Sequence, residues 1–374
     1  MDKNLFVLTE KDLIKLSIML LLAVILFGLS GLAMMIFMQW ITRQSYAQDA
    51  VDKHGISQVN ASRLGGVAVL VSSVVLLIVA AINGLFPANT VPLGIQIVGW
   101  SAVLLCSLLG LSEDLNNNQL TPRLRFMITA IIWGAVIALL PHLIPLNFDI
   151  TWLDDLMMVP VLGGLLTVIF CVGFINAVNM ADGANGLMPG IMTIAFTVFY
   201  IETGEVVQAV LMTTCGIFTI FNTISGRLFL GDAGSYGLGA TLVISALNLF
   251  HRDVFSAPFL AVLFAYPCID IVCTIARRRL QGRSVLLPDN DHLHNRIHFH
   301  CLRFFTSKTL ANSMTGVLIV CGSSGLAIVG YMSYLWPMAS IQWEWVFLGQ
   351  CVAYAATFYL AGIGREVSQH VVDA

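Results

Sequence analysis

Five short polar stretches carry most of the side chains in this chain that could do chemistry. The first is Asp52-Lys53-His54, followed by Arg63-Leu64-Gly65-Gly66. The second is Gly110-Leu111-Ser112-Glu113-Asp114, with Pro122, Arg123 and Arg125 behind it. The third, residues 176–187, reads Asn-Ala-Val-Asn-Met-Ala-Asp-Gly-Ala-Asn-Gly-Leu. The fourth runs from Phe221-Asn222 to Phe229-Leu230-Gly231-Asp232-Ala233-Gly234-Ser235. The fifth is Asp289-Asn290-Asp291-His292-Leu293-His294-Asn295-Arg296.

This inventory suits phosphate chemistry. Glu113, Asp114, Asp182 and Asp232 are hard oxygen donors of the kind that bind Mg²⁺ or Mn²⁺. Gly231 and Gly234 flank Asp232 and let the backbone approach a phosphate or a metal-bound water. Arginine and histidine donors hold oxyanions. Asn176 and Asn179 lie one turn apart and share a face if helical. No Gly-x-x-x-x-Gly-Lys phosphate loop is present.

Each stretch also has a plainer reading. Glu113-Asp114 could be a solvated helix end, Asp232 a turn residue, and 176–187 a re-entrant turn. His292, His294, His298 and His300 could be a zinc site, but no suitably spaced cysteine accompanies them. Asp270, just after Pro267 in an apolar run, is costly to bury and reads as functional or as a helix–helix partner. Five such stretches on one side of a membrane argue against coincidence.

The elements that must position these residues are apolar helices. The chain has 374 residues, 58% hydrophobic and only 10% charged. That composition predicts an all-α polytopic integral membrane protein. Long charge-free runs exclude a β-barrel, whose strands alternate. A net charge of −3 gives no reason to expect nucleic acid. The eight cysteines include no Cys-x-x-Cys pair and read as small core residues. The N-terminus does not read as a cleaved signal peptide.

Eleven apolar segments are expected, at about 16–41, 64–85, 92–111, 126–145, 157–175, 187–201, 206–224, 235–250, 255–276, 310–335 and 343–362. Numbering the connections alternately puts 14 of the 18 basic residues on one side. That side is predicted to be cytoplasmic, with the N-terminus outside and the C-terminus inside. All five polar stretches fall on it, in loops at about 42–63, 112–125, 176–187, 222–235 and 277–309. Residues 1–374 are read as one membrane catalytic domain with these active-site loops.

At these residues the sequence resembles the polyprenyl-phosphate N-acetylhexosamine-1-phosphate transferases, from about Asp52 to Arg303. The resemblance rests on Asn-x-x-Asn-x-x-Asp-Gly-x-x-Gly-Leu at 176–187 and on Phe-Leu-Gly-Asp-x-Gly-Ser at 229–235. Phe221-Asn222, Arg227 and Pro267-x-x-Asp270 stand at the family's spacing. Within the family, Pro288-Asp289-Asn290-Asp291-His292-Leu293-His294-Asn295 is similar to the polysaccharide-initiating branch. So is Pro122-Arg123-Leu124-Arg125. The cell-wall branch has adjacent histidines instead. The chain departs from the family at Glu113, where an aspartate is usual, at Asn290 and Asn295, and at Ser225.

The resemblance implies a bacterial inner-membrane enzyme of ten or eleven transmembrane helices with its active site facing the cytoplasm. It would transfer a sugar-1-phosphate from a UDP-N-acetylhexosamine to undecaprenyl phosphate, release UMP and require Mg²⁺ (Mn²⁺ could substitute). The product would initiate a surface glycan such as O-antigen, capsule or exopolysaccharide. The expected roles are as follows. Glu113, Asp114 and Asp232 are catalytic, and Asp232 also binds the metal. Asn176, Asn179 and Asp182 line the pocket, and Asn222 and Phe229 sit by the uracil. His292, His294 and Arg296 hold the diphosphate or sugar. Membrane lipid surrounds the helices, and a homodimer is compatible with this reading. The alternatives are a phospho-N-acetylmuramoyl-pentapeptide transferase and, in another class, a secondary transporter. Transporters place their site at mid-membrane on broken helices, often with repeats, and no repeat relates the two halves here.

Overall fold

The computed structural model describes residues 10–44, 47–49, 61–86, 93–116, 120–282, 284 and 290–372. The Asp52-Lys53-His54 stretch, Pro288 and Asp289 lie outside them. Fifteen α-helices are seen among the described residues. They are α1 (Glu10–Ile41), α2 (Gly65–Ile82), α3 (Leu93–Asn116), α4 (Pro122–Leu139), α5 (Thr151–Met157), α6 (Pro160–Ala181), α7 (Leu187–Thr203) and α8 (Val206–Ser225). These are followed by α9 (Gly231–His251), α10 (Ala257–Leu263), α11 (Ala265–Leu280), α12 (Leu293–Phe304), α13 (Lys308–Gly322), α14 (Ser324–Met332) and α15 (Gln342–Val372).

Eight of these helices are long and apolar enough to cross a membrane. Two bent pairs, α10 with α11 and α13 with α14, raise the number to ten, and the shorter apolar α7 accompanies them. All eleven expected segments therefore appear, two of them broken. The chain is an all-α polytopic membrane protein.

The breaks have a local cause and a local remedy. Pro267 has no N–H to offer the Leu263 carbonyl one turn earlier, and α10 and α11 meet at 81°. The Ser324 hydroxyl donates to that carbonyl at 2.6 Å. Gln350 of α15 donates to the Ser323 carbonyl at 3.1 Å and to the Val262 carbonyl at 3.4 Å. Carbonyls freed by a bend inside lipid need such partners, because no water is there to replace them.

The central helix is α9, with 72% of its span buried. It packs on α2, α3 and α6. Its small residues, including Gly234, Gly237, Gly239 and Ala240, let neighbouring backbones approach closely. At Gly66 of α2 a β-carbon would sit 2.0 Å from the Gly234 α-carbon, so the two helices cross in near backbone contact.

A small β element at one end was not anticipated from the apolar pattern. β1 (Gln48–Asp49) pairs antiparallel with β2 (Ala61–Ser62), and Ser62 bridges in parallel to Leu228. Phe229 N–H donates to the Ser62 carbonyl at 2.8 Å, and Gly65 N–H to the Phe229 carbonyl at 2.9 Å. The loop before α2 is thereby joined to the loop before α9. Following the helices back and forth, the C-terminal ends of α3, α6, α8 and α11 and the N-terminal ends of α2, α4, α7, α9 and α13 all reach this same end. The amphipathic α12 lies there too, packed on α13 and α15.

Candidate active site

The end of α3 meets the start of α9 through Asp114. The first N–H groups of any helix lack partners within it. Here Asp114, 3% exposed, supplies them from another helix. Its Oδ1 accepts the Asp232 N–H at 3.0 Å and its Oδ2 accepts the Ala233 N–H at 2.8 Å. A carboxylate at a helix N-terminus also meets the positive end of the helix dipole. Both oxygens of Asp114 therefore serve to fix the loop that presents Asp232. Gly231, at φ +70°, makes the turn into α9; a β-carbon there would sit 2.1 Å from the Arg63 carbonyl oxygen.

Asp232 points its carboxylate at two other helices. Oδ1 accepts from the Asn179 amide of α6 at 3.1 Å, and Oδ2 from the Arg125 guanidinium of α4 at 3.2 Å. Arg125 also lies 3.8 Å from Glu113 Oε2. Glu113 Oε1 accepts the Leu120 N–H at 2.7 Å. The buried Arg125 Nε–H has no acceptor among the described residues. Asp182, half-buried, ends α6. Burial, with the Asp232 and Asp114 carboxylates beside it, pushes its carboxyl up to about 8. Glu113, Asp114, Asn179, Asp182 and Asp232 thus come together from α3, α6 and α9, with Arg125 among them.

The remaining site candidates divide. Asn222 is buried, and its amide is used on the backbone: Oδ1 accepts from Gly186 N–H, and Nδ2 donates to the Leu228 carbonyl at 2.7 Å. It ties the Asn176–Leu187 stretch to the loop before α9. Phe229 is half-buried in that loop. Asn176 donates to the Val172 carbonyl at 2.8 Å, one turn deeper than Asn179. Arg296 faces α15: it forks onto Asp291 at 2.7 and 2.8 Å, lies 3.6 Å from the Phe358 ring centroid and donates to the Phe358 carbonyl at 2.8 Å.

His292 and His294 are buried with parallel rings 5.4 Å apart. His294 packs against Gly183, where a β-carbon would fall 2.0 Å from Nε2. That contact brings the fifth polar stretch onto the third, beside Asp182. Burial holds the His294 imidazole down at about 4.

Sequence reasoning gave Arg125 no role beyond a flanking position, although its spacing from Glu113 was legible. Tyr354 it missed, since a tyrosine 84 residues from Asp270 carries no local signal. Among the described residues no three His, Cys, Asp or Glu side chains converge as a ready-made metal site.

Comparison with known proteins agrees with this placement. Residues 96–250 match the family described as glycosyl transferase family 4. That segment contains the whole carboxylate cluster and ends before the histidines. A relative in Bacillus subtilis (strain 168), named "Probable undecaprenyl-phosphate N-acetylglucosaminyl 1-phosphate transferase", is 26% identical over 73% of this chain and 76% of its own length. A "Decaprenyl-phosphate N-acetylglucosaminephosphotransferase" of Mycobacterium tuberculosis (strain ATCC 25618 / H37Rv) is 30% identical over 43% of this chain and 53% of its own. A "Phospho-N-acetylmuramoyl-pentapeptide-transferase" of Levilactobacillus brevis is 29% identical over 35% of this chain and 42% of its own. The last two matches cover about half of those proteins. The family segment, these relatives and the motifs that build the cluster agree: the chain is similar to glycosyl transferase family 4 and to the polyprenyl-phosphate N-acetylglucosamine-1-phosphate transferases.

Proposed function

We propose that this protein transfers N-acetylhexosamine-1-phosphate from a UDP-N-acetylhexosamine to undecaprenyl phosphate, releasing UMP and starting a lipid-linked surface glycan. The observation that carries the reading is the carboxylate–arginine cluster around Asp232, built from four helices at the basic end of the bundle. The acceptor phosphate must attack the sugar-side phosphate, so an anion approaches an anion. Such chemistry needs charge stabilisation more than a strong base. A lipid phosphomonoester with a second pKa of about 6 is largely dianionic at neutral pH.

The donor set fits Mg²⁺, which is held through one or two carboxylates plus substrate phosphates and water. Asp232 and Asp182 would hold it; Asp114 is occupied by the α9 backbone. The metal would neutralise charge on the phosphoryl oxygens. Asp114 fixes where Asp232 stands. Arg125, whose guanidinium already meets Asp232 and Glu113, would take a phosphate oxygen. The apolar flanks of the helices offer the lipid tail a surface, and cytosolic UDP-sugars require the basic end to face the cytoplasm of the inner membrane.

A second reading, transfer of the muramoyl-pentapeptide phosphate, is favoured by the lactobacillar relative. The His292-Leu293-His294 pattern favours the first. The test is UMP release by purified protein given undecaprenyl phosphate and a panel of nucleotide sugars. Turnover is expected with UDP-N-acetylhexosamines and not with UDP-N-acetylmuramoyl-pentapeptide. Turnover with the pentapeptide alone would favour the second reading, and UMP release with neither would defeat both.

A further inference from the structure

Beneath the two histidines lies a buried polar set that the carboxylate cluster does not use. Asp270, 1% exposed, sits in α11. Its Oδ2 lies 2.7 Å from His292 Nδ1, and its Oδ1 accepts the Tyr354 hydroxyl of α15 at 2.6 Å. One turn before Asp270, the buried Tyr266 hydroxyl lies 2.8 Å from His294 Nδ1. Two side chains of α11 thus engage Nδ1 on each of two stacked rings, and Tyr354 of α15 holds the first of them, Asp270. They lie outside the residues 96–250 that match the family.

The partners fix the two rings in opposite tautomers. An ionised carboxylate only accepts, so His292 carries its proton on Nδ1. A buried hydroxyl must place its hydrogen on an acceptor. Among the described residues the acceptor of the Tyr266 hydroxyl is His294 Nδ1, so His294 carries its proton on Nε2, the nitrogen against Gly183. A carboxylate under one and a phenol under the other give the rings different roles at Nδ1: His292 donates there and His294 accepts.

We propose that Asp270, Tyr354 and Tyr266 are positioning residues. Asp270, steadied by Tyr354, holds His292 in the Nδ1–H form for contact with an anionic donor substrate. Tyr266 holds His294 as the neutral Nε2–H form against the Asp182–Gly183 turn. The link to substrate rests on the reading under Proposed function; the assignment of the two ring states does not.

The experiment therefore has two arms. In the first, the full chain carrying ¹⁵N-histidine is reconstituted in liposomes and its imidazole nitrogen resonances are recorded. Tyr266→Phe is expected to shift the His294 signals and leave His292 in place. Asp270→Asn is expected to shift the His292 signals, and His292→Gln and His294→Gln assign them. Wild-type His294 protonated at Nδ1, or a His292 spectrum unmoved by Asp270→Asn, would overturn the proposal. In the second arm, UMP release is measured with a UDP-N-acetylhexosamine. Asp270→Asn is expected to lower kcat/KM roughly 10- to 100-fold, the scale of a misplaced active-site group, with melting temperature in detergent nearly unchanged. Tyr354→Phe keeps the Asp270–His292 pair and should cost only several-fold. If wild type turns over and Asp270→Asn and Tyr266→Phe match it, the positioning role falls while the reaction stands. If wild type fails to turn over, the reaction falls and the first arm still decides the ring states.

Discussion

At the scale of single residues, Asp114 and Asp232 divide two tasks that their family motifs leave undivided. Asp114 spends both oxygens on N–H groups of α9. Asn at that position offers one acceptor oxygen and turns an amide donor toward a donor. Asp114→Asn should therefore lower both UMP release, by at least about 10²-fold, and stability, by about 1–2 kcal/mol as for a lost helix cap. Asp232→Ala should cut turnover by at least about 10²-fold while the melting temperature in Mg²⁺-free detergent barely changes. Equal melting shifts for the two variants would refute this division. Asp182 gives a pH prediction. Its carboxyl is held at about 8 in the fold, chiefly by burial, against about 3.9 in the unfolded chain. The folded state then binds more protons between those values, so this group's stabilisation is complete below about pH 4 and is lost as pH rises through about 8. Melting temperature without divalent cation should fall over that window, and Asp182→Asn should flatten the fall. Added Mg²⁺ should raise the melting temperature more at pH 8 than at pH 6. A slope unaffected by Asp182→Asn would assign it to other groups.

At the scale of elements, the site depends on how closely α2, α3 and α9 pack. Gly231 is the most constrained point. Its φ of +70° disfavours any β-carbon, and the Arg63 carbonyl already fills the space one would need. The left-handed conformation alone costs a non-glycine residue roughly 1–2 kcal/mol, and overpacking adds about 1–3. Gly231→Ala should accordingly melt well below Asp232→Ala, although it removes no reactive group. Thermal unfolding of the two variants side by side checks this. An alanine variant as stable as wild type would show that the α9 entry turn is more adaptable than its geometry implies.

At the scale of the whole molecule, every described polar stretch lies at one end of the bundle, because each pair of successive membrane crossings returns the chain to that side. The other end holds a sparser set, including the Glu205–Arg252 pair at 2.5 Å. With the native cysteines replaced, Gln281→Cys should react with an impermeant thiol reagent only from the cytoplasmic side. Asn83→Cys, just after α2, should react only from outside. Labelling of Gln281→Cys from outside intact cells would invert the orientation and separate the site from cytosolic nucleotide sugars.

The sequence by itself determined the class of the protein and the raw material of its site. Apolar runs of membrane-crossing length fix the helices because a bilayer accepts little else. The count of eleven segments follows from length and polarity, which are local properties. The crowding of Asp182, Asp232 and Glu113-Asp114 into otherwise apolar sequence was legible for the same reason. The tertiary structure decided what each group does. Asp114 became an anchor because α9 starts against the end of α3. Asn222 was taken up by the backbone of two loops, and Arg296 by Asp291 and Phe358. Arg125 entered the cluster from α4, and Asp270 and Tyr354 met under His292 from positions 84 residues apart. Hydrogen-bond partners are set by distance in space, and a chain that crosses the membrane many times makes distance along the sequence a poor guide to it.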